Sequence, residues 1–331
     1  MREQRCSPRQ PNTVALSQTL PHCQRLSFSS LPSLIGPSAK LRTCFTSLDA
    51  LRITRFRNDR PIKENAVEHQ PSNFGRVDLM VENHLLVIRI NRPEKRNGFT
   101  PEMGLALAQA YTRLEQDDEL RVGILCAEGD HFTGGLDLPR WAEAMREGRS
   151  MWPADLVDPF DLREPRRSKP VVAAVQGICY TLGIELMLAA DVVVAADNCR
   201  FSQLEVKRGI MATGGATVRM AERAGTGTAL YHLLVADEFG AQEALRAGYV
   251  QEIVPAAALF GRARELAQRI ANNAPLAVVA SRRNVLLSVE QGREQAIAAF
   301  RSVQAALAAS EDAAEGIASF KARRAAQFKG R

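Results

Sequence analysis

Glu185 sits in Gly177-Ile-Cys-Tyr-Thr-Leu-Gly-Ile-Glu-Leu186, with Leu182, Ile184, Leu186 and Met187 around it. A carboxylate among such neighbours costs free energy unless it is paired or protonated. Its pKa is therefore expected to rise to where it exchanges protons near neutral pH; the other reading is a glutamate that snorkels or forms a salt bridge. Glu205 lies in Arg200-Phe-Ser-Gln-Leu-Glu-Val-Lys-Arg-Gly209, ahead of Ala212-Thr-Gly-Gly-Ala216, and alone it reads equally as a surface residue. Two carboxylates brought from different elements can hold one water between them, which an addition of water would need. A third segment, Gly129-Asp-His-Phe-Thr-Gly-Gly-Leu-Asp-Leu138, pairs Gly134 with Gly135. Such a pair either brings backbone N–H groups close to a ligand or simply turns the chain from strand to helix.

These residues need strands and helix starts to hold them. Leu85–Ile90, Val122–Ala127, Val171–Val175, Val192–Ala196 and Val250–Val254 read as strands. The Val171 and Val192 strands are apolar throughout and so buried on both faces. Thr100 reads as an N-cap and Pro101 as the first residue of a helix running to about Glu115. Helical pattern returns at 183–190, 214–224 and 240–247, and residues 256–331 read as almost continuous helix. Glu185 thus falls near the start of an apolar helix, whose free N–H groups and dipole suit a developing oxyanion. The alternation of strands and helices predicts an α/β core followed by a helical tail too rich in Ala and Leu to stand alone in water.

Of 331 residues, 43 are Lys or Arg and 37 Asp or Glu, for a net charge of +6. Residues 1–75 hold 11 of the basic and 5 of the acidic residues, leaving 32 of each in the body. A neutral body argues against nucleic acid as a partner. The leader, rich in Ser, Pro and Arg as at 25–33, predicts a disordered basic extension; an organellar transit peptide or an upstream start would look similar. The most apolar stretch, Val171–Ala196, contains Gln176, Glu185 and Asp191, which excludes a membrane span. Cys6, Cys23, Cys44, Cys126, Cys179 and Cys199 form no CxxC pair, which fits a reducing compartment and a cytoplasmic protein, or a mitochondrial one if residues 1–75 are a transit peptide. The five histidines show no ligand spacing, so no metal is expected. Gly225-Thr-Gly lacks the third glycine of a dinucleotide loop and a preceding strand, so no NAD is inferred.

The motifs, taken in order, resemble the crotonase superfamily, the enoyl-CoA hydratase/isomerase group. The pieces are Asn91-Arg-Pro-Glu-Lys-Arg-Asn97, Phe132-Thr-Gly-Gly-Leu-Asp-Leu138, Lys169-Pro-Val-Val-Ala-Ala-Val-Gln-Gly177, Gly183-Ile-Glu-Leu186 and Asp191. Arg200-Phe201, Leu204-Glu205, Gly209, Ala244-Leu-Arg-Ala-Gly-Tyr-Val250 and Glu315-Gly-Ile-Ala-Ser-Phe-Lys-Ala-Arg-Arg324 with Phe328 continue the series to the C-terminus. The resemblance implies an α/β spiral of repeated β-β-α units over 76–270. It also implies a C-terminal helical region, 271–331, that builds a homotrimer or homohexamer. It implies Glu185 and Glu205 as catalytic residues, with the backbone N–H groups of Leu136 and Leu182 as an oxyanion hole. CoA and substrate would be bound by Lys95, Arg96, Gly135, Leu136, Asp137, Leu138 and Gly183, with no cofactor beyond the CoA that the substrate carries.

The implied reaction is addition of water to a 2-enoyl-CoA, giving a 3-hydroxyacyl-CoA through a thioester enolate. An isomerase, hydrolase or decarboxylase of the same type, or a non-catalytic acyl-CoA-binding scaffold, are the alternatives. The sequence departs from the usual glycine run at Thr181-Leu182-Gly183, from Pro-Glu at Leu204-Glu205, and from Pro-Gly at Ala212-Thr213. Arg323, Arg324 and Lys329 either reach a neighbour's CoA or form a solvated basic face. Residues 139–168, with Trp141, Trp152 and Phe160, either border the acyl pocket as a lid or pack the core.

Overall fold

The computed structural model describes residues 74–331. The reading of the N-terminal extension lies outside the described residues, except at its end. There the Thr100 hydroxyl donates to the Phe74 carbonyl at 2.7 Å, and Arg140 stacks on the Phe74 ring. These two contacts tie Phe74 to the body, and composition alone carries no trace of them.

The chain opens with an antiparallel pair, β1 (Arg76–Glu82) and β2 (Leu85–Asn91). Helix α1 (Pro101–Gln116) follows, with Thr100 Oγ1 accepting from Met103 N and Pro101 in the first turn, as the sequence predicts. Met103, Leu107, Ala110, Tyr111 and Leu114 form its buried stripe. Then come β3 (Val122–Ala127) and α2 (Leu138–Arg146). The next two units each step from one sheet to another. β4 (Val171–Val175) leads to β5 (Ile178–Tyr180) and α3 (Leu182–Ala189); β6 (Val192–Ala196) leads to β7 (Arg200–Ser202) and α4 (Ala216–Val235). β8 (Phe239–Gly240), α5 (Ala241–Arg246) and β9 (Glu252–Val254) return to the first sheet.

The large sheet has the order β1-β2-β3-β4-β6-β9 and is parallel from β2 onward; the small one is β5-β7-β8. This is the α/β architecture of repeated β-β-α units, with helices after it. The expected strand at 250–254 is shorter, beginning at Glu252. β5, β7 and β8 are too short to carry a two-residue period, and β1 has no strongly buried face. The helix expected over 214–224 runs on to Val235, with a kink at Gly225, whose φ of 78° is open to glycine.

The tail is not one continuous helix. It divides into α6 (Leu259–Ala271), α7 (Pro275–Gln291), α8 (Arg293–Ala308) and α9 (Glu311–Ala322). Pro275 opens α7, Gly292 with φ of 93° separates α7 from α8, and the Ser310 hydroxyl caps α9. α6 packs on β3, β4 and β6, while α7 packs on α8. Arg282 of α7 reaches Asp161 at 2.5 Å and Asp191 at 2.8 Å, and the buried Arg167 meets Asp191 at 2.6 Å. Burial pushes the Asp191 carboxyl up, but the two guanidinium groups outweigh it and hold the pKa below the usual carboxylate range.

Among the described residues, no helix is long and apolar enough to cross a membrane, and no three His, Cys, Asp or Glu side chains are grouped to hold a metal. Cys126, Cys179 and Cys199 are buried free thiols.

Candidate active site

The loop after β2 and the loop after β3 are bonded into one unit. Gly134 N donates to Arg96 O at 2.8 Å, Phe99 N to Gly135 O at 2.9 Å, and Asp137 N to Phe99 O at 2.8 Å. Buried Asn97 donates to Glu128 O and His131 O, and the Thr133 hydroxyl donates to Asn97 O at 2.6 Å. This register uses the Asp137 N–H, and the Gly135 N–H donates to the Thr133 hydroxyl, but that of Leu136 itself has no partner among the described residues. Helix α3 begins one strand away. Its first N–H, that of Leu182, is likewise unpartnered among the described residues, as the opening turn of a helix allows. β5 brings the two segments together: Thr133 N donates to Ile178 O and Tyr180 N to Thr133 O at 3.0 Å. Two free donors on adjoining segments match what a thioester oxygen would need.

Gly183 lies behind this pair. A Cβ there would come within 2.7 Å of Thr133 Cγ2 and 3.2 Å of Cys179 Sγ, so the glycine lets α3 pack close against the loop that carries Leu136.

Glu185 is one turn into α3, a helix with every residue buried. Its Oε1 accepts from Gly214 N at 2.6 Å and from Ala216 N at 3.4 Å, the start of α4. Gly214 cannot carry a side chain: a Cβ would meet Glu185 Oε2 at 2.6 Å and Phe160 Cζ at 2.8 Å. Burial, reinforced by the charge of Glu205, pushes the Glu185 carboxyl up to about 7. Glu205, in a short 3₁₀ turn after β7, is also buried, and burial raises its pKa too. The buried Gln203 amide, oriented to satisfy both of its ends, donates to the Glu205 carboxylate at 3.0 and 3.2 Å. Neither glutamate has an ion-pair partner among the described residues. The charge of Glu205 disfavours a charge on Glu185, so the ionisation of Glu185 depends on the state of its neighbour.

A cleft of about 400 Å³ opens beside the Leu136 donor. Arg92, Lys95, Arg96, Gly98, Gly135, Leu136, Asp137, Tyr180 and Leu204 are among its walls. Lys95 and Arg96 are exposed there and form no ion pair with the described residues. Asp137 is not free: its carboxylate holds the Arg92 guanidinium at 2.9 Å. Leu138 opens α2 and does not line the cleft. In the tail, Arg324 is bound to Glu315 at 2.5 Å, which occupies its charge. Of residues 139–168, Trp141 is buried and donates to Phe99 O, bracing the Leu136 loop from below. Trp152 and Phe160 pack at 5.2 Å, and Phe160 forms the apolar wall next to Glu185.

The roles of the Gly214 and Ala216 amides and of the Gln203 amide are absent from the sequence expectations, whereas Phe160 is expected either beside the pocket or in the core. The Thr-Gly-Gly-Ala run is visible as a glycine-rich helix start, but its target is 29 positions away in the chain.

Residues 80–331 match the family model described as enoyl-CoA hydratase/isomerase. The chain is 31% identical to (E)-benzylidenesuccinyl-CoA hydratase of Thauera aromatica, over 77% of this chain and 99% of that one. It is 34% identical to carnitinyl-CoA dehydratase of Proteus mirabilis, over 76% and 98% respectively. Among solved structures it is similar to a "probable enoyl-CoA hydratase/isomerase" from Mycobacterium abscessus (TM-score 0.75, 43% identity, 77% of this chain and 98% of that one). It is also similar to the enoyl-CoA hydratase of Mycobacterium tuberculosis H37Rv (TM-score 0.70, 33% identity, 77% and 99%).

Proposed function

Because the chain belongs to the enoyl-CoA hydratase/isomerase family of the crotonase superfamily, we propose that it is an enoyl-CoA hydratase. The two curated relatives named above are a hydratase and a dehydratase of CoA thioesters, which supports a hydro-lyase. The observation that carries the finer reading is the pair of buried glutamates without cationic partners, one with its pKa raised to about 7.

The thioester carbonyl accepts from Leu136 N–H and Leu182 N–H. Water lies between the carboxyls. Ionised Glu185 takes a proton from it as the oxygen attacks C3, and the π electrons move through C2 onto the thioester oxygen as an enolate. The reacting form is the one in which Glu185 is ionised and the proton is on Glu205, and Glu205 then supplies that proton to C2. The proton taken up by Glu185 returns to the pair, which resets it for the next turnover. The two donors face charge that is larger in the transition state than in the ground state, and one such donor contributes roughly 3 kcal/mol elsewhere. Lys95 and Arg96 bind CoA phosphates, and the reaction requires no cofactor. The free thiols fit the reducing cytoplasm, which we assign as its compartment.

We further propose a homotrimer or homohexamer built on the C-terminal helices, because Val285, Val289, Phe300 and Phe320 present apolar area to solvent in the single chain. Sedimentation tests it: a monomer at micromolar concentration rejects it. The reaction is tested by product analysis over a panel of acyl-CoA thioesters that starts with crotonyl-CoA. Formation of 3-hydroxyacyl-CoA is expected; an isomerised, hydrolysed or decarboxylated product selects another reaction of the superfamily, and binding without turnover selects a scaffold.

A further inference from the structure

Thr181 directly precedes the Leu182 donor and touches Gly135, which directly precedes the Leu136 donor, and it is held in a conformation that a threonine avoids. Its φ is 48° and its ψ is −116°, outside the left-handed helical region as well as the ordinary ones. A β-branched residue held there is strained, and such strain persists only where surrounding structure enforces it. Its hydroxyl has no hydrogen-bond partner among the described residues, and it does not cap α3 although it occupies the N-cap position. What the side chain does touch is Gly135. A Cβ on residue 135 would overlap Thr181 Oγ1 and come within 3.4 Å of Thr181 Cβ.

This contact lies where the two donor segments stop holding each other. They run in register through the Thr133–Cys179 bridge and the bond from Tyr180 N to Thr133 O. Gly135 N would carry the next bond across, but it donates instead to Thr133 Oγ1 within its own loop. Beyond that point the Leu136 and Leu182 N–H groups are each one residue further along, and the Thr181 side chain spans the gap. We infer that Thr181 is a positioning residue, a strut against Gly135 that sets the separation of the Leu136 and Leu182 donors. The inference rests on the oxyanion-hole reading above. It assigns Thr181 no contact with the reacting atoms.

The test uses the full-length protein and two readouts. One is kcat and KM for crotonyl-CoA. The other is the red shift of 2,4-hexadienoyl-CoA absorbance on binding, since polarising a conjugated thioester carbonyl moves its absorbance whether or not water is added. Thr181→Gly removes both strut and strain. It is expected to lower kcat about tenfold with KM within about twofold, to reduce the red shift, and to leave Tm equal or higher. Thr181→Ser keeps an Oγ against Gly135 and is expected to stay within about threefold of the wild type. Unchanged kcat and red shift in Thr181→Gly overturn the inference. So does a loss accompanied by a lower Tm, which marks a packing role, or a Thr181→Ser variant as poor as Thr181→Gly. If the wild type shifts the dienoyl-CoA but hydrates no thioester, the hydratase reading fails while the red-shift series still decides the role of Thr181. A wild type that produces no red shift overturns both.

Discussion

All 8 residues of α3 are buried, Glu185 among them, whereas none of the 17 residues of α7 is. Both are helices in the same chain, and both carry a glutamate near an element boundary. In α3 the carboxyl has lost its water, so a neighbouring glutamate and two backbone amides set its ionisation. In α7, Glu290 meets Arg166 at 2.7 Å with much of its side chain in solvent. The difference between the two helices locates the unfavourable electrostatics that this fold has accepted. Glu185 keeps its buried carboxyl without an ion pair, where proton transfer needs it, while α7 pairs its charges, Glu290 with Arg166 and Arg282 with Asp161 and Asp191.

The strongest way to break that contrast is at Glu205. Glu205→Gln should lower kcat for crotonyl-CoA about 10³-fold, the scale of a lost acid–base group. It also removes the charge that helps raise the Glu185 pKa, so a carbon-13 NMR titration should find Glu185 ionising at lower pH than in the wild type. An active Glu205→Gln enzyme would remove the mechanism.

Glu185→Gln probes the same burial through stability. The carboxyl ionises near 4.5 when unfolded and at about 7 when folded, so the unfolded state gives up its proton first. Stability is therefore lost as pH rises from 4.5 towards 7, and the penalty is complete above that. Glutamine carries no such penalty. The variant should be more stable than the wild type by about 3 kcal/mol at roughly pH 8 and equal to it below about pH 4. Urea denaturation at the two pH values measures this, and a difference independent of pH would show that Glu185 is not held in a desolvated site.

Lys95→Ala and Arg96→Ala, on the exposed side of the cleft, should each raise KM for the CoA ester about tenfold with kcat little changed, the effect shrinking in high salt. The smallest change belongs to α7. Glu290→Gln should alter stability by less than about 1 kcal/mol, because an exposed pair gains little over its hydration. A larger loss would mean that α7 is held to the body by charge to a degree its exposure does not suggest.

Much of the site is legible in the order of amino acids alone. Glu185 is conspicuous because a lone acid stands in an apolar run, and the family resemblance brings Glu205, Leu136 and Leu182 with it. The long strands β2, β3, β4 and β6 are legible for a similar reason, a run of apolar residues that marks a strand buried on both faces. β5 and β7 are not, since three residues hold too little pattern. The divisions of the tail are hidden because Ala-rich sequence favours helix on either side of each break.

The sequence by itself determined which groups are present and how they are spaced along each element: a carboxylate four residues into the segment that opens at Thr181, a second after a strand, glycines where the chain must turn, cations on the loop after β2. Those follow from local propensity and hydrophobic period. Only the tertiary structure decided which of them meet. Gly214 N reaches Glu185, Thr181 leans on Gly135, and Arg282 ties α7 to Asp161, each across a long stretch of chain. The physical reason is that a raised pKa, an unpartnered N–H and a strained φ are properties of surroundings, and the surroundings are assembled by packing elements that are far apart in sequence.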